Sequence, residues 1–143
     1  NTGHYDQYIR VVVTISDAAN WQAILGNDFN DATLLACFDG FVQSEWNNIS
    51  TEVLTASDEI RIVMYYNGIL DGSDTANDAT SGTVSDITVF NNVMIPTAMD
   101  QAQAAAFGTD GFSIVVKAQA VQTDNVGDNA FAAFQTVGMA IDA

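Results

Sequence analysis

Tyr5-Asp6-Gln7-Tyr8-Ile9-Arg10-Val11-Val12-Val13-Thr14-Ile15 is the stretch that decides the fold class. Side chains of an extended chain alternate with period two, so Ile9, Val11, Val13 and Ile15 share one face while Tyr8, Arg10 and Thr14 lie mostly on the other. A half-buried strand is predicted. Ile60, Ile62, Met64 and Tyr66 alternate in the same way with Arg61, Val63 and Tyr65. Asn67-Gly68 follows at once, the pair that supplies positive φ in a two-residue turn, so a hairpin is expected with a short second arm at Ile69-Leu70. Phe112, Ile114, Val116, Ala118 and Ala120 alternate with Ser113, Val115, Lys117, Gln119 and Val121 and predict a long strand with one apolar face. Ile87, Val89, Val93 and Ile95 predict another, ended by Pro96, which cannot donate to a ladder.

Helical signals are shorter. Ser16-Asp17 offers a cap before Trp21, Ile24 and Leu25, and Gly26-Asn27-Asp28 stops that helix. Thr97 and, three residues on, Asp100 start a second helix that runs through the alanine-rich segment from Met99 to Phe107 and ends at Gly108. Asp128-Asn129 caps a last one, with Phe131, Phe134 and Val137 on one side. From Phe29 to Trp46 neither period fits, and the polar stretch from Asp71 to Ser85 reads as a loop. No internal repeat is visible. Strands outnumber helices and have long connections between them, which favours a mainly β protein, an antiparallel β-sandwich with a few short inserted helices, over a βαβ arrangement.

The 143 residues fit one domain, and 48% of them are hydrophobic, enough to bury a core. Three Lys+Arg against 18 Asp+Glu give a net charge of −15. Such a surface has almost nothing to neutralise phosphates, so nucleic acid is not a main partner, and anionic membrane surfaces are disfavoured too. No apolar run approaches the roughly 20 residues that span a bilayer. Cys37 cannot form an internal disulfide and reads as a small buried hydrophobe within Leu34-Leu35-Ala36-Cys37-Phe38. The chain opens on Asn1 without Met or a signal-peptide pattern, so an upstream precursor segment is expected. Acidity with so little Lys fits a protein outside the cell, secreted or at its surface, and Asn48-Ile49-Ser50 is a glycosylation sequon.

Five segments, in order, resemble the TasA/camelysin-like family of secreted proteins released by a dedicated signal peptidase. Asn1-Thr2-Gly3 followed by Tyr8-Ile9-Arg10-Val11-Val12-Val13 is similar to the family's first asparagine-glycine element and strand. Met64-Tyr65-Tyr66-Asn67-Gly68-Ile69-Leu70 resembles its tyrosine-rich hairpin, and Phe90-Asn91-Asn92-Val93-Met94-Ile95-Pro96 its strand-proline-helix step. Ile114-Val115-Val116-Lys117-Ala118-Gln119-Ala120-Val121-Gln122 resembles the penultimate strand, and Ala130-Phe131-Ala132-Ala133-Phe134 the small helix after it. The resemblance runs from residue 1 to about 137. It implies a jelly-roll-like β-sandwich whose subunits build extracellular fibres, biofilm-matrix filaments among them, with a strand of one subunit completing the sheet of the next. Family members carry further strands ahead of the asparagine-glycine element. The expectation is therefore one sandwich domain over residues 1–143 without its first strand or strands, left with an open seam that recruits a partner strand. Where those strands stand upstream of Asn1, the donor lies there instead.

Catalytic chemistry finds little to work with. His4 is the only histidine, which leaves no zinc motif and no Ser-His-Asp triad, and a Cys37 nucleophile would need His4 across the fold in apolar surroundings that oppose a thiolate. No enzyme is expected. Asp71, Asp74 and Asp78 offer the hard oxygens that calcium takes, as do Asp124 and Asp128, although the spacing is not that of an EF-hand and a solvated turn is the simpler reading. Tyr65, Tyr66, Trp21 and Trp46 read as core or intersubunit contacts before a sugar-stacking platform. The expected function is a homopolymeric fibre subunit, with Tyr8, Ile9, Val11 and Val13 as polymerisation contacts and two strands, Thr2 to Ile15 and Phe112 to Gln122, as candidates for donation or acceptance. The alternative is a monomeric cell-surface binding module for calcium or carbohydrate.

Overall fold

A computed structural model describes residues 5–26, 29–72, 86–96, 99–107 and 111–142. The protein is mainly β, with antiparallel sheets and a few short helices. In chain order the elements are β1 (Gln7–Ser16), α1 (Ala18–Leu25), α2 (Asp31–Leu35), β2 (Phe38–Asp39), a 3₁₀ turn (Gln43–Glu45), β3 (Trp46–Leu54), β4 (Glu59–Tyr66), β5 (Asn92–Val93), α3 (Gln101–Ala106), β6 (Ile114–Gln122) and α4 (Ala130–Val137). The main sheet has the order β3-β4-β1-β6, and β2 pairs with β5 in a small ribbon.

β1 is the organising element because its β-branched run fits a pleated surface and both of its edges are taken. Its first face carries Ile9, Val11, Val13 and Ile15, which join Ile60, Ile62 and Met64 of β4 under Trp21, Leu34, Leu35, Phe38 and Phe107. Its second face carries Tyr8 and Val12, which join Val63, Tyr65 and Val121 under Ala130, Ala133 and Phe134 of α4. The strand expected to be half-buried is thus buried on both faces, because α4 folds back over the side that sequence reading gave to solvent.

Several local expectations change for identifiable reasons. Asn67-Gly68 does not reverse the chain: neither residue has positive φ. Asn67 is instead tied to the segment before β3, its backbone N–H donating to the Glu45 carbonyl and its side-chain amide to the Ser44 carbonyl, both at 2.8 Å. The chain runs on beside β1, where Gln7 and Leu70 exchange backbone hydrogen bonds of 3.0 and 2.9 Å. The hairpin partner of β4 is β3, reached through residues 55–58. β3 itself shows inward alternation of Ile49, Thr51 and Val53, a signal that sequence reading passed over.

Asp17 makes no side-chain cap to α1, since it sits in the left-handed region with φ 62°. Asp58, in the turn between β3 and β4, takes over: its carbonyl accepts from Ala18 N–H at 3.1 Å and its carboxylate from Ala19 N–H at 3.0 Å. α3 starts at Asp100, which forms a reciprocal capping box with Gln103; Thr97 lies outside the described residues. Of the strand expected over Ile87 to Ile95, only Asn92–Val93 pairs, while Ile87, Val89 and Phe90 lie against the first face without a ladder. The ambiguous stretch from Phe29 to Trp46 resolves into α2, β2 and the 3₁₀ turn. In α4 the buried side is Ala130, Ala133 and Phe134, so Phe131 and Val137 point outward.

Candidate functional site

The main sheet has two edges, and they are built differently. β3 exposes Asn48, Ser50 and Glu52, and its ladder to β4 slips between Asn47 and Ser50, where Asn48 takes φ 45°. Polar side chains and a local irregularity are devices that discourage a foreign strand. β6 lacks the irregularity, and Lys117 is the one charged side chain it exposes. Its nine residues pair with β1 without a register shift from Ile114↔Ile15 to Gln122↔Gln7. Among the described residues no strand pairs with its other side.

β6 is also thinly covered on its faces. Val115 is 59% and Val116 45% exposed, on opposite sides, and Ala118 and Ala120 are exposed as well. Beside it, on the first face, Ile9, Val11, Ala118, Leu70, Ile87 and Val89 line a groove of about 270 Å³, together with one carboxylate, Asp86. An edge strand paired without a register shift, carrying one charge, Lys117, and with an apolar groove alongside, is suited to β-augmentation, in which main-chain groups pair and alternate side chains enter the groove.

Tyr8, Ile9, Val11 and Val13 are brought together on β1, but in the middle of the sheet. They are at most 7% exposed and their strand is paired on both sides, so as placed they are core residues rather than an open edge. Burial, and after it the charge of Asp128, push the Tyr8 phenol above its ordinary value. Of the two candidate strands, Phe112 to Gln122 is the one that the fold leaves open.

No family model, curated protein or solved structure matches this chain.

The remaining candidates gather less. Asp71 is half-buried, and Asp74 and Asp78 lie outside the described residues, as does His4. Among the described residues no three of His, Cys, Asp or Glu converge on one point. Asp124 and Asp128 are exposed in the turn after β6. Cys37 is buried, its thiol donating weakly to the Thr33 carbonyl at 3.6 Å, and burial pushes its pKa up, away from thiolate chemistry. Leu25, Ala36, Cys37, Met94 and Ile95 contribute to a second, apolar hollow of about 410 Å³ that no charged group lines. Trp21 packs edge-on against Phe107 and Phe112, and Trp46 against Tyr66, so these rings serve the core. Among the described residues no helix is long and apolar enough to cross a membrane.

Proposed function

We propose that this chain is a structural subunit of an extracellular fibre, of the biofilm-matrix kind, that polymerises by donor-strand exchange and carries no enzymatic site. The observation that carries the reading is the open, unshifted edge of β6 beside an apolar groove. A strand from a neighbouring copy pairs with that edge, its backbone completing the ladder and its alternate side chains filling the groove over Val11 and Ala118. In this reading the four-stranded sheet is one layer of a jelly-roll-like sandwich that the donor extends. The resemblance of five ordered segments to the TasA/camelysin-like family supports the same view. Cations or salt assist assembly, since stacking copies of net charge −15 concentrates like charge.

Electron microscopy of the native material at physiological salt, compared with Val116→Asp, tests this. Val116 is exposed, so the substitution places a charge on the docking face without entering the core. The expected outcome is fibres from the native chain and folded single subunits from the variant. Fibres of unchanged length in Val116→Asp count against the reading.

A further inference from the structure

The three basic residues of this chain, Arg10, Arg61 and Lys117, all bind one short segment. Arg10, 3% exposed on β1, donates from Nη2 to the carbonyls of Met139 and Ala140 at 3.0 and 2.8 Å, and from Nε to Gln119 Oε1 at 2.7 Å. Its guanidinium also stacks 4.4 Å from the centre of the Phe134 ring. Gln119 in turn donates its side-chain amide to the carbonyls of Ala140 and Ile141 at 3.1 and 3.3 Å. Arg61 on β4 pairs with the Asp142 carboxylate at 3.0 Å, and Lys117 on β6 donates to the Asp142 carbonyl at 3.2 Å. Gly138, in the left-handed region at φ 64°, ends α4 and turns the chain into this segment, whose Met139 and Ile141 pack against the second face.

The anchors stand on three adjacent strands: Arg10 is the register partner of Gln119, Val12 of Lys117, and Thr14 of Arg61. A buried guanidinium left without acceptors is strongly unfavourable, and among the described residues Arg10 has no carboxylate within ion-pair distance. Backbone carbonyls of residues 139 and 140 therefore solvate it, together with a side chain of β6. Losing the segment removes acceptors from Arg10 and Gln119 at once. Apart from this segment β6 is held by its ladder to β1 and by packing at its two ends, Ile114 on the first face and Val121 on the second, while Val115 and Val116 between them are exposed.

We propose that residues 139–142 are a latch that holds the edge strand β6 on the sheet, and that releasing it lets β6 detach as a unit while β1, β3 and β4 stay folded. Detachment moves the open edge of the sheet from β6 to β1, so that Ile9, Val11 and Val13 come to line it. The latch is a property of the single chain and stands whether or not the chain builds fibres.

Amide hydrogen exchange on the full chain, under conditions where it is a single subunit, tests this. Two variants are compared with wild type: Arg10→Lys, which keeps the charge but loses the fork that spans the carbonyls and Gln119, and the double variant Arg61→Gln/Lys117→Gln, which removes the outer anchors and, with them, the pair of Arg61 with Glu52 on β3. In Arg10→Lys the amides of residues 139–142 and those of β6 bonded to β1 exchange about tenfold faster or more, together, while β3 and β4 keep their protection. The double variant shows the same pairing at several-fold, and so does wild type when salt is raised to about 1 M, where charges are screened beyond about 3 Å; both also release Arg61 from Glu52 of β3, at 2.7 Å, so a change confined to the amides next to Glu52 and Arg61 reports that surface pair. Loosening of residues 139–142 with β6 still as protected as in wild type overturns the proposal. So does equal loosening of all four strands, or no change in any. Should Arg10→Lys not fold, the double variant decides.

Discussion

Val13 on β1 and Val116 on β6 sit opposite each other in the ladder and on the same face of the sheet, yet Val13 is fully buried and Val116 is 45% exposed. Both strands show the same period-two alternation with an apolar face. What separates them is the number of neighbours: Val13 is flanked by Ile62 as well as by Val116, and Val116 has Val13 alone. Alternation specifies that a segment is a strand and which side chains share a face. It does not say whether the strand is in the middle of the sheet or at its rim, and in this protein that difference separates core from candidate contact surface.

Substituting the two partners identically is the strongest way to break the comparison. Val13→Asp buries a carboxylate with no partner and is expected to cost more than about 4 kcal/mol, most of the stability of a chain near the low end of the usual range of about 5–15 kcal/mol. Val116→Asp changes stability by about 0.5 kcal/mol or less. Urea denaturation followed by circular dichroism measures both, and equal losses would mean that Val116 is as deeply buried as Val13. Val11→Asp behaves like Val13→Asp, so a loss of fibres in that variant reports unfolding rather than a lost contact.

The second face repeats the contrast within one helix. Phe131 and Phe134 of α4 both meet Tyr65 edge-on, at 5.2 and 6.0 Å, but Phe134 is 2% exposed and also lies beneath the Arg10 guanidinium, whereas Phe131 is 39% exposed. Phe134→Ala is expected to cost about 3–5 kcal/mol and Phe131→Ala about 1 kcal/mol. Smaller again is Asp58→Gly. Glycine tolerates φ 52° at that position but removes the carboxylate that accepts from Ala19 N–H, for an expected loss of about 0.5–1.5 kcal/mol. Asp17→Gly is near neutral in the same assay, because Asp17 provides no side-chain cap.

The strands β1, β4 and β6 and the helices α1, α3 and α4 could be read from the chain because each carries its own local pattern. Ile9 to Ile15 alternates, Asn129 caps α4, and Gly26 closes α1. What could not be read depends on partners distant in sequence. The pairing of β3 with β4 overrides the turn chemistry of Asn67-Gly68, since Asn67 gains more from the Ser44 and Glu45 carbonyls than from a tight turn. Asp58 rather than Asp17 caps α1 because the turn between β3 and β4 reaches it through the folded sheet. The candidate site follows the same division: Phe112 to Gln122 was recognisable as a strand able to pair, but its position at the rim emerges only from the strand order. Tyr8, Ile9, Val11 and Val13 have the composition of contact residues, and in the single chain the strand order places them in the middle of the sheet.

The smallest expected effect comes from the buried titratable groups on the two faces. Burial raises the Cys37 thiol on the first face above 9.0, and burial together with Asp128 raises the Tyr8 phenol on the second above 10.0. Each group thus keeps its proton to higher pH in the folded chain than in the unfolded one. Above the ordinary thiol value the unfolded state has lost protons that the folded state retains, so stability falls with rising pH. The contribution of Cys37 is intact below pH 9 and is lost as pH climbs from there through the raised folded value. Denaturation midpoints of wild type and Cys37→Ala between pH 7 and about 10.5 separate the two groups. Cys37→Ala removes the part of the decline that begins near 9 and leaves the later part due to Tyr8; identical profiles for the two chains would mean that the thiol reaches water, and that the first face is less well sealed around Cys37 than around Val13.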